Sequence, residues 1–116
     1  MENKKHASLI QLEKMCEGIC TEIHKGKYDF EPEYSDYDEP CAGDYLKNIL
    51  DYQFIINSDK SYRASIILVA CGGPNIWINT RERCVEGYWG SDEVKRYYAN
   101  DVLGIDEYME ELYNGI

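Results

Sequence analysis

A run rich in apolar residues, Arg63 to Cys71, constrains the fold of this chain more than any other segment. The run is rich in Ile, Leu and Val, and it ends at Gly72-Gly73-Pro74, where the glycines permit a tight turn and the proline fixes the direction of re-entry. The two sets of side chains that point to opposite faces of such a strand are Ile66, Leu68 and Ala70, and Ile67, Val69 and Cys71. Because both sets are apolar, we predict a central strand that is covered on both faces.

The segments around this strand predict an antiparallel β-meander of four or five strands over residues 52–98. Short turns, such as the one at Ser58-Asp59-Lys60, join the segments. Parallel strands would need crossovers of a dozen or more residues, which such turns cannot hold. The predicted strands are Tyr52 to Asn57, Arg63 to Cys71, Asn75 to Thr80, Cys84 to Trp89 and a candidate edge strand, Glu93 to Tyr98.

Helical periodicity precedes the meander. From Ala7 to Lys25, apolar residues recur at steps of three and four, as they do on one face of an amphipathic helix. Ser8 followed by Gln11 fits a capping box at the start of this helix, and Gly26 fits a C-terminal stop. We therefore predict an N-terminal helix over residues 7–25.

Two further helices are predicted. The second amphipathic helix covers residues 102–113, and Asn100 or Asp101 caps its start. A short helix begins at Asp44, its predicted N-cap. The side chains of the short helix that are expected to face the core are Leu46, Ile49 and Leu50.

The order of these elements predicts one α+β domain over residues 1–116, in which an N-terminal and a C-terminal helix flank the meander. A chain of 116 residues that is 44% hydrophobic is long enough and apolar enough to close one modest core. The residues expected in that core are Ile66, Ile67, Leu68, Val69, Ile76 and Ile78.

Residues 27–43 are predicted to form a long acidic and tyrosine-rich loop, because Pro32 and Pro40 interrupt any helix. Its aromatic residues Tyr28, Tyr34 and Tyr37 are of the kind enriched at interfaces. The acidic residues of the loop are Asp29, Glu31, Glu33, Asp36, Asp38 and Glu39. One interpretation is a binding segment; the alternative is a solvated loop whose rings lie on the core.

The charge of the chain favours a basic partner. With 22 acidic and 12 basic residues, the formal net charge is −10 and the sequence pI is about 4.5. Nucleic acid and anionic lipid are repelled by such a field, so we expect neither direct nucleic-acid binding nor membrane binding. Carboxylates on a surface can instead occupy Lys and Arg sites that normally hold phosphates. The predicted C-terminal helix adds an acidic face of Asp106, Glu107, Glu110 and Glu111.

The cysteines and the start of the chain indicate a cytoplasmic protein. Five cysteines form an odd set without a CxxC pair, which argues against a secreted disulfide framework. The first residues are charged, and no apolar run of signal-peptide or membrane-spanning length follows. We therefore expect a cytoplasmic chain with reduced thiols.

Two further patterns could carry chemistry. Cys16, Cys20 and His24 stand at four-residue steps, so one helical stripe could present three zinc ligands, with Cys41 or His6 as the fourth. The alternative is core packing, which we favour because structural zinc sites usually contain CxxC knuckles; we predict no metal or other cofactor.

The other pattern is Cys71 before Gly72-Gly73, which could be a nucleophile or a small-molecule site at the end of a strand. A plain hairpin turn is the alternative, and we favour it because only His6 and His24 could act as a histidine base. Both lie far from Cys71 in the sequence. The sequence therefore predicts no enzyme.

Three segments carry a resemblance to a known group of proteins. They are Val69 to Thr80 (VACGGPNIWINT), Tyr88-Trp89-Gly90 and Ile105-Asp106-Glu107-Tyr108. This pattern, which covers roughly the C-terminal half of the chain, resembles small uncharacterised acidic proteins encoded on phage, plasmid and conjugative elements of Firmicutes. The resemblance implies a context in which anti-restriction and anti-CRISPR inhibitors are frequent, some of which imitate DNA. We accordingly expect a non-enzymatic inhibitor of a defence nuclease; the alternatives are an adaptor protein and a small-molecule or enzymatic domain.

Overall fold

Five antiparallel strands form a sheet in which each strand lies beside its neighbour in the sequence. The computed structural model describes residues 6–116. The strands are β1 (Asp51–Ile56), β2 (Tyr62–Ala70), β3 (Asn75–Asn79), β4 (Cys84–Trp89) and β5 (Asp92–Tyr97). The predicted meander is confirmed, and β5 is the edge strand that the sequence indicated.

Three α-helices complete the α+β fold: α1 (Ala7–Lys25), α2 (Ala42–Tyr45) and α3 (Ile105–Asn114). The predicted bounds of α1 are confirmed, and Gly26 ends it in the left-handed conformation with φ 69°. The predicted capping box is wrong, because Ser8 makes no side-chain cap and its hydroxyl donates to Asp92 on β5. A tertiary contact has therefore replaced the local one.

The short helix α2 begins before the predicted start. Asp44 lies inside it and is buried, whereas the sequence had placed this residue at the N-cap. Leu46 is buried as predicted, but Leu50 is 55% exposed, so its predicted place in the core is wrong. Because the helix ends at Tyr45, the helical spacing that would turn Leu50 inward does not reach that residue.

Both long helices pack on the same face of the sheet. Antiparallel partners share a face, so Ile67, Ile78 and Val85 point the same way. On this face α1 covers β4 and β5 while α3 covers β2, and all three of these residues are buried in one cluster with residues of both helices.

The opposite face of the sheet carries no described helix. The predicted coverage of β2 on both faces is therefore wrong: Ile66 and Leu68 point away from α1 and α3 and are only partly buried. Ile67, Ile76 and Ile78 are fully buried as predicted, and Val69 packs partly buried against the same cluster. An apolar run does not distinguish a strand covered on both faces from one covered on a single face. A cross-strand neighbour such as Trp77, the partner of Leu68, can partly bury a side chain without a covering layer.

The C-terminal helix begins at Ile105, three residues after the predicted start. Its N-cap is Gly104, with φ 78°, so neither Asn100 nor Asp101 occupies the predicted N-cap position. Asp101 nevertheless caps the helix start from three residues upstream. One carboxylate oxygen accepts the N–H groups of Gly104 and Ile105 at 3.0 and 2.9 Å, and the other accepts the N–H of Asp106 at 3.0 Å. These are donors at a helix start that have no intrahelical partner.

Replacing this cap should measurably weaken the fold. Asp101→Ala leaves the three N–H groups without their acceptor, so we expect a loss of about 1–2 kcal/mol in the free energy of unfolding. Urea titration followed by circular dichroism measures this loss. Asp101→Asn, which retains one side-chain acceptor, should lose less; equal stability of all three proteins would show that the cap contributes nothing.

Candidate functional site

The acidic loop, residues 27–43, is fixed to the domain by Tyr28. Its hydroxyl donates to the buried carboxylate of Asp44 at 2.7 Å and lies 3.2 Å from the carbonyl oxygen and from the N–H of Cys41. Burial, followed by the hydrogen bond to Asp44, raises the pKa of Tyr28 to about 12. The ring packs against Tyr45 with 4.9 Å between centroids, and the Tyr45 hydroxyl donates to Glu22 of α1. The base of the loop is thus tied to both α2 and α1.

The tip of the loop is also held in place. A single 3₁₀ turn spans Pro32–Tyr34, and the Lys47 ammonium donates to the Tyr34 carbonyl oxygen at 3.4 Å. Tyr37 lies against α2, where the absence of a side chain at Gly43 makes room for it, since a Cβ there would be 2.2 Å from the Tyr37 hydroxyl oxygen. The predicted loop therefore has a defined path along α2.

The six predicted acidic residues of the loop all point to solvent. No Lys or Arg occurs from Tyr28 to Leu46. Within residues 6–116, none of the six carboxylates makes a side-chain hydrogen bond or an ion pair, so the fold does not use them. Of the three tyrosines, only Tyr28 packs on the core, as the alternative of a solvated loop expects. Tyr34 is 73% exposed and Tyr37 is 43% exposed. The loop residues placed on this exposed surface are Asp29, Glu31, Glu33, Tyr34, Asp36, Tyr37, Asp38 and Glu39.

One side of α3 adjoins the loop. Glu107 and Glu111 stand one helical turn apart and line a hollow together with Tyr37 and Tyr108. Asp106 is different, because it accepts a hydrogen bond from the Tyr62 hydroxyl at 2.7 Å and so serves the packing of α3 on β2. Glu110 is exposed but does not line the hollow. We define the acidic surface as the loop residues named above together with Glu107 and Glu111.

Asp44 differs from the exposed acids of the loop. Hydrogen bonds from Ser35 and Tyr28, and then the Lys47 ammonium at 3.2 Å, hold the pKa of this carboxyl below its ordinary value of 3.8. A folded-state pKa below the unfolded one stabilises the fold above the unfolded pKa, and this contribution disappears as the pH falls through the folded pKa.

This shift predicts a pH effect at the base of the loop. We expect the wild-type protein to lose melting temperature below about pH 4 more steeply than Asp44→Asn, which has no charge to lose. Differential scanning calorimetry between pH 2 and pH 7 measures the two slopes. If both proteins lose the same number of degrees over that range, the Asp44 charge does not hold the loop.

The helical stripe that could have held zinc is part of the core. The Cys16 thiol lies in the hydrophobic cluster, and the Cys20 thiol donates to the Arg96 carbonyl oxygen. Burial raises the pKa of both thiols to about 11, so they are protonated at neutral pH. His24 Nδ1 accepts the N–H of Asn100. Within the described residues, Cys16, Cys20 and His24 do not converge into a metal-binding group.

The Gly72-Gly73 turn has the features of a hairpin connection. Gly72 has φ 95°, and its N–H donates to the Asn75 side chain at 3.3 Å. The exposed Cys71 makes no hydrogen bond with either histidine, since His6 binds Asp92 and His24 binds Asn100. Neither histidine is therefore hydrogen-bonded to this thiol.

The structure also shows a charged cluster that the sequence analysis missed. Glu82, Cys84 and Glu86 bring their ligand atoms within 4.8 Å of one another on the open face of the sheet. The Lys95 ammonium lies 3.7 Å from Glu82 and 3.5 Å from Glu86 and neutralises part of their charge, while burial raises the pKa of Cys84 to about 12. The cross-strand pairing of Glu86 with Lys95 is the signal that could have revealed this cluster. With a protonated thiol and an ammonium in place, it is an ion-pair network.

The fold and the acidic surface define a small α+β protein with an anchored, acidic, tyrosine-bearing loop. No protein-family model, no curated protein and no solved structure matches the chain. Among the described residues, none of the helices combines the length and the apolar character that crossing a membrane requires.

Proposed function

We propose that this chain is a non-enzymatic, cytoplasmic inhibitor whose acidic surface binds a basic nucleic-acid groove of a partner protein. The observation that carries the proposal is the set of six exposed loop carboxylates, none of which is used by the described part of the fold. A basic groove would supply the Lys and Arg side chains that this surface lacks.

The anchoring of the loop supports a binding role. A flexible acidic segment loses conformational freedom when it binds, and this loss offsets part of the binding free energy. Tyr28, Tyr37 and Lys47 already hold the loop against α2, so less freedom remains to be lost. The exposed rings of Tyr34 and Tyr37 would add apolar contacts at low entropic cost beside the carboxylates.

The position of α3 supports a surface larger than the loop. Glu107 and Glu111 face the same hollow as Tyr37, so two elements that are distant in the sequence present carboxylates side by side. A nucleic-acid groove binds successive phosphates along its length, and carboxylates from two elements are better suited to follow it than those of one short segment. The sequence resemblance implies the target class: a defence nuclease encountered by mobile elements, such as a CRISPR effector.

The proposal is tested by affinity capture from a lysate of the cells that encode the chain. Bound proteins are eluted with a salt gradient, identified, purified and tested for nucleic-acid binding. We expect a nucleic-acid enzyme that elutes at moderate salt, because screening weakens contacts between charged surfaces. Capture only of proteins that bind no nucleic acid would overturn the proposal and favour an adaptor role.

A further inference from the structure

The two edges of the sheet are protected to very different degrees. The β5 edge carries Asp92, Glu93, Lys95 and Arg96, and charges of this kind keep an edge strand from pairing with another chain. After Asp51, the β1 edge carries no charge at all as far as Asn57. Of its side chains, Tyr52 is 39% exposed and Ile56 is 46% exposed.

The backbone of β1 also directs hydrogen-bonding groups outward at this edge. Opposite Phe54 lies Ser65, whose N–H and C=O groups both bond Thr80 on the far side of β2, at 2.8 and 3.0 Å. The backbone groups of Phe54 therefore point away from β2, and the alternation of an antiparallel ladder directs those of Tyr52 and Ile56 the same way. The alternation continues past the register shift between Ile55 and Ile56, since the N–H of Asn57 again donates inward to Ser61. The outward N–H of Tyr52 donates to the Asp51 carboxylate at 2.9 Å. Tyr52, Phe54 and Ile56, at alternate positions of β1, thus direct their N–H and C=O groups outward.

These three residues also share the face of the sheet that the helices cover. Their partners on β2 are Ile67 for Tyr52, Ser65 for Phe54 and Tyr62 for Ile56. Phe54 packs on Tyr113 of α3 with 5.2 Å between ring centroids. The two exposed apolar side chains, Tyr52 and Ile56, therefore stand symmetrically on either side of an anchored ring.

We propose that β1 is the pairing edge for a second copy of this chain, which binds antiparallel about a twofold axis at Phe54. In this register Phe54 lies opposite Phe54 of the second copy, and Tyr52 lies opposite Ile56 of the second copy in both halves of the interface. The outward backbone groups of the three residues then pair across the interface, where the N–H of Tyr52 exchanges the Asp51 carboxylate for a carbonyl oxygen of the second copy. The exposed ring of Tyr52 meets the β-branched side chain of Ile56, a favourable cross-strand pair. The segment is complementary to itself, which is what a twofold interface requires.

This interface has a salt dependence opposite to that of the acidic surface. Each copy has a formal net charge of −10, while the paired segment 52–56 is uncharged, so the charge acts only as a general repulsion. Added salt screens that repulsion and should strengthen the dimer, whereas it should weaken the binding of a basic partner. The two proposals can therefore fail separately.

The test is sedimentation equilibrium of the full chain over a wide range of protein concentrations, with two double variants. Y52K/I56K places Lys opposite Lys at both positions of the dimer, while Y52K/I56E places Lys opposite Glu. Within one copy the two positions are about 13 Å apart along the strand, so the variants differ little as monomers. Circular dichroism confirms that both are folded, and Tyr97→Lys on β5, at a 63% exposed position, is the control for an added charge at the other edge.

We expect the wild-type chain, Tyr97→Lys and Y52K/I56E to form dimers, and Y52K/I56K to dimerise more weakly by about tenfold or more. A wild-type chain that stays monomeric at every concentration and salt would overturn the proposal. So would dimers as strong as those of the wild type in both double variants, because β1 would then lie outside the interface. Equal loss of the dimer in both variants would overturn the Tyr52–Ile56 register.

Discussion

Reversing the charge of the acidic loop is expected to abolish partner binding while leaving the fold intact. Each change removes an attraction to the basic groove and adds a repulsion, so the effects on binding accumulate. The five substituted side chains are exposed and make no described ion pair or side-chain hydrogen bond, and such changes usually alter stability by less than about 0.5 kcal/mol each. Affinity capture and thermal melting measure the two effects. The substituted residues are Glu31, Glu33, Asp36, Asp38 and Glu39, each replaced by Lys.

The control must separate the loop from the net charge, which these five reversals bring from −10 to zero. Two double variants change the net charge by the same amount. The loop pair is Glu33→Lys with Asp36→Lys, and the edge pair, on the two edges of the sheet, is Asp51→Lys with Glu93→Lys. Binding should fall strongly in the loop pair and only slightly in the edge pair. If both pairs lose the same affinity, the partner responds to the overall field and the loop is not the site.

Filling the space at Gly87 should produce the largest loss of stability. This residue lies on β4 beneath α1, and a Cβ there would be 2.7 Å from both Leu12 Cδ1 and Cys16 Sγ. Those side chains belong to the fully buried core, so they cannot move aside without opening space elsewhere. Gly87→Leu should therefore displace α1 from the sheet and cost about 3 kcal/mol, which lowers the melting temperature by roughly 10–15 °C.

Gly18 offers the matched control on α1. It is exposed in the middle of the helix, and no atom lies within 4 Å of the position that its Cβ would occupy. Gly18→Ala should stabilise the protein by about 0.5–1 kcal/mol, because alanine restricts the unfolded chain and favours the helix. If Gly87→Leu melts within a degree of the wild-type protein, the close contact between α1 and β4 is wrong.

The fold could be predicted from the sequence where local residues determine the structure. The prediction failed where a tertiary contact determines it. The strands follow from β-branched runs between turns, and α1 follows from its apolar spacing and Gly26. The capping box failed because Asp92, distant in the sequence, binds the Ser8 hydroxyl. The prediction that the sheet is covered on both faces failed because the sequence of an apolar strand does not show which face the helices pack against.

The acidic surface, likewise, could be predicted from the sequence only in part. That the loop carboxylates are exposed could be predicted from their density, since carboxylates without partners stay in solvent. Which acids of α3 adjoin the loop could not, because Asp106, Glu107 and Glu111 are equivalent in composition and differ only in what they face. Tyr62 takes Asp106 into a hydrogen bond, while Glu107 and Glu111 line the hollow beside Tyr37.

The central claim, that the acidic surface replaces nucleic acid in a basic groove, is tested most directly by competition. Fluorescence anisotropy follows a labelled nucleic acid bound to the captured partner while the wild-type chain is added at increasing salt. The account predicts displacement that weakens steeply as salt rises, and no displacement by the variant with five loop lysines. A ternary complex, in which the wild-type chain binds and the nucleic acid stays bound, would contradict it.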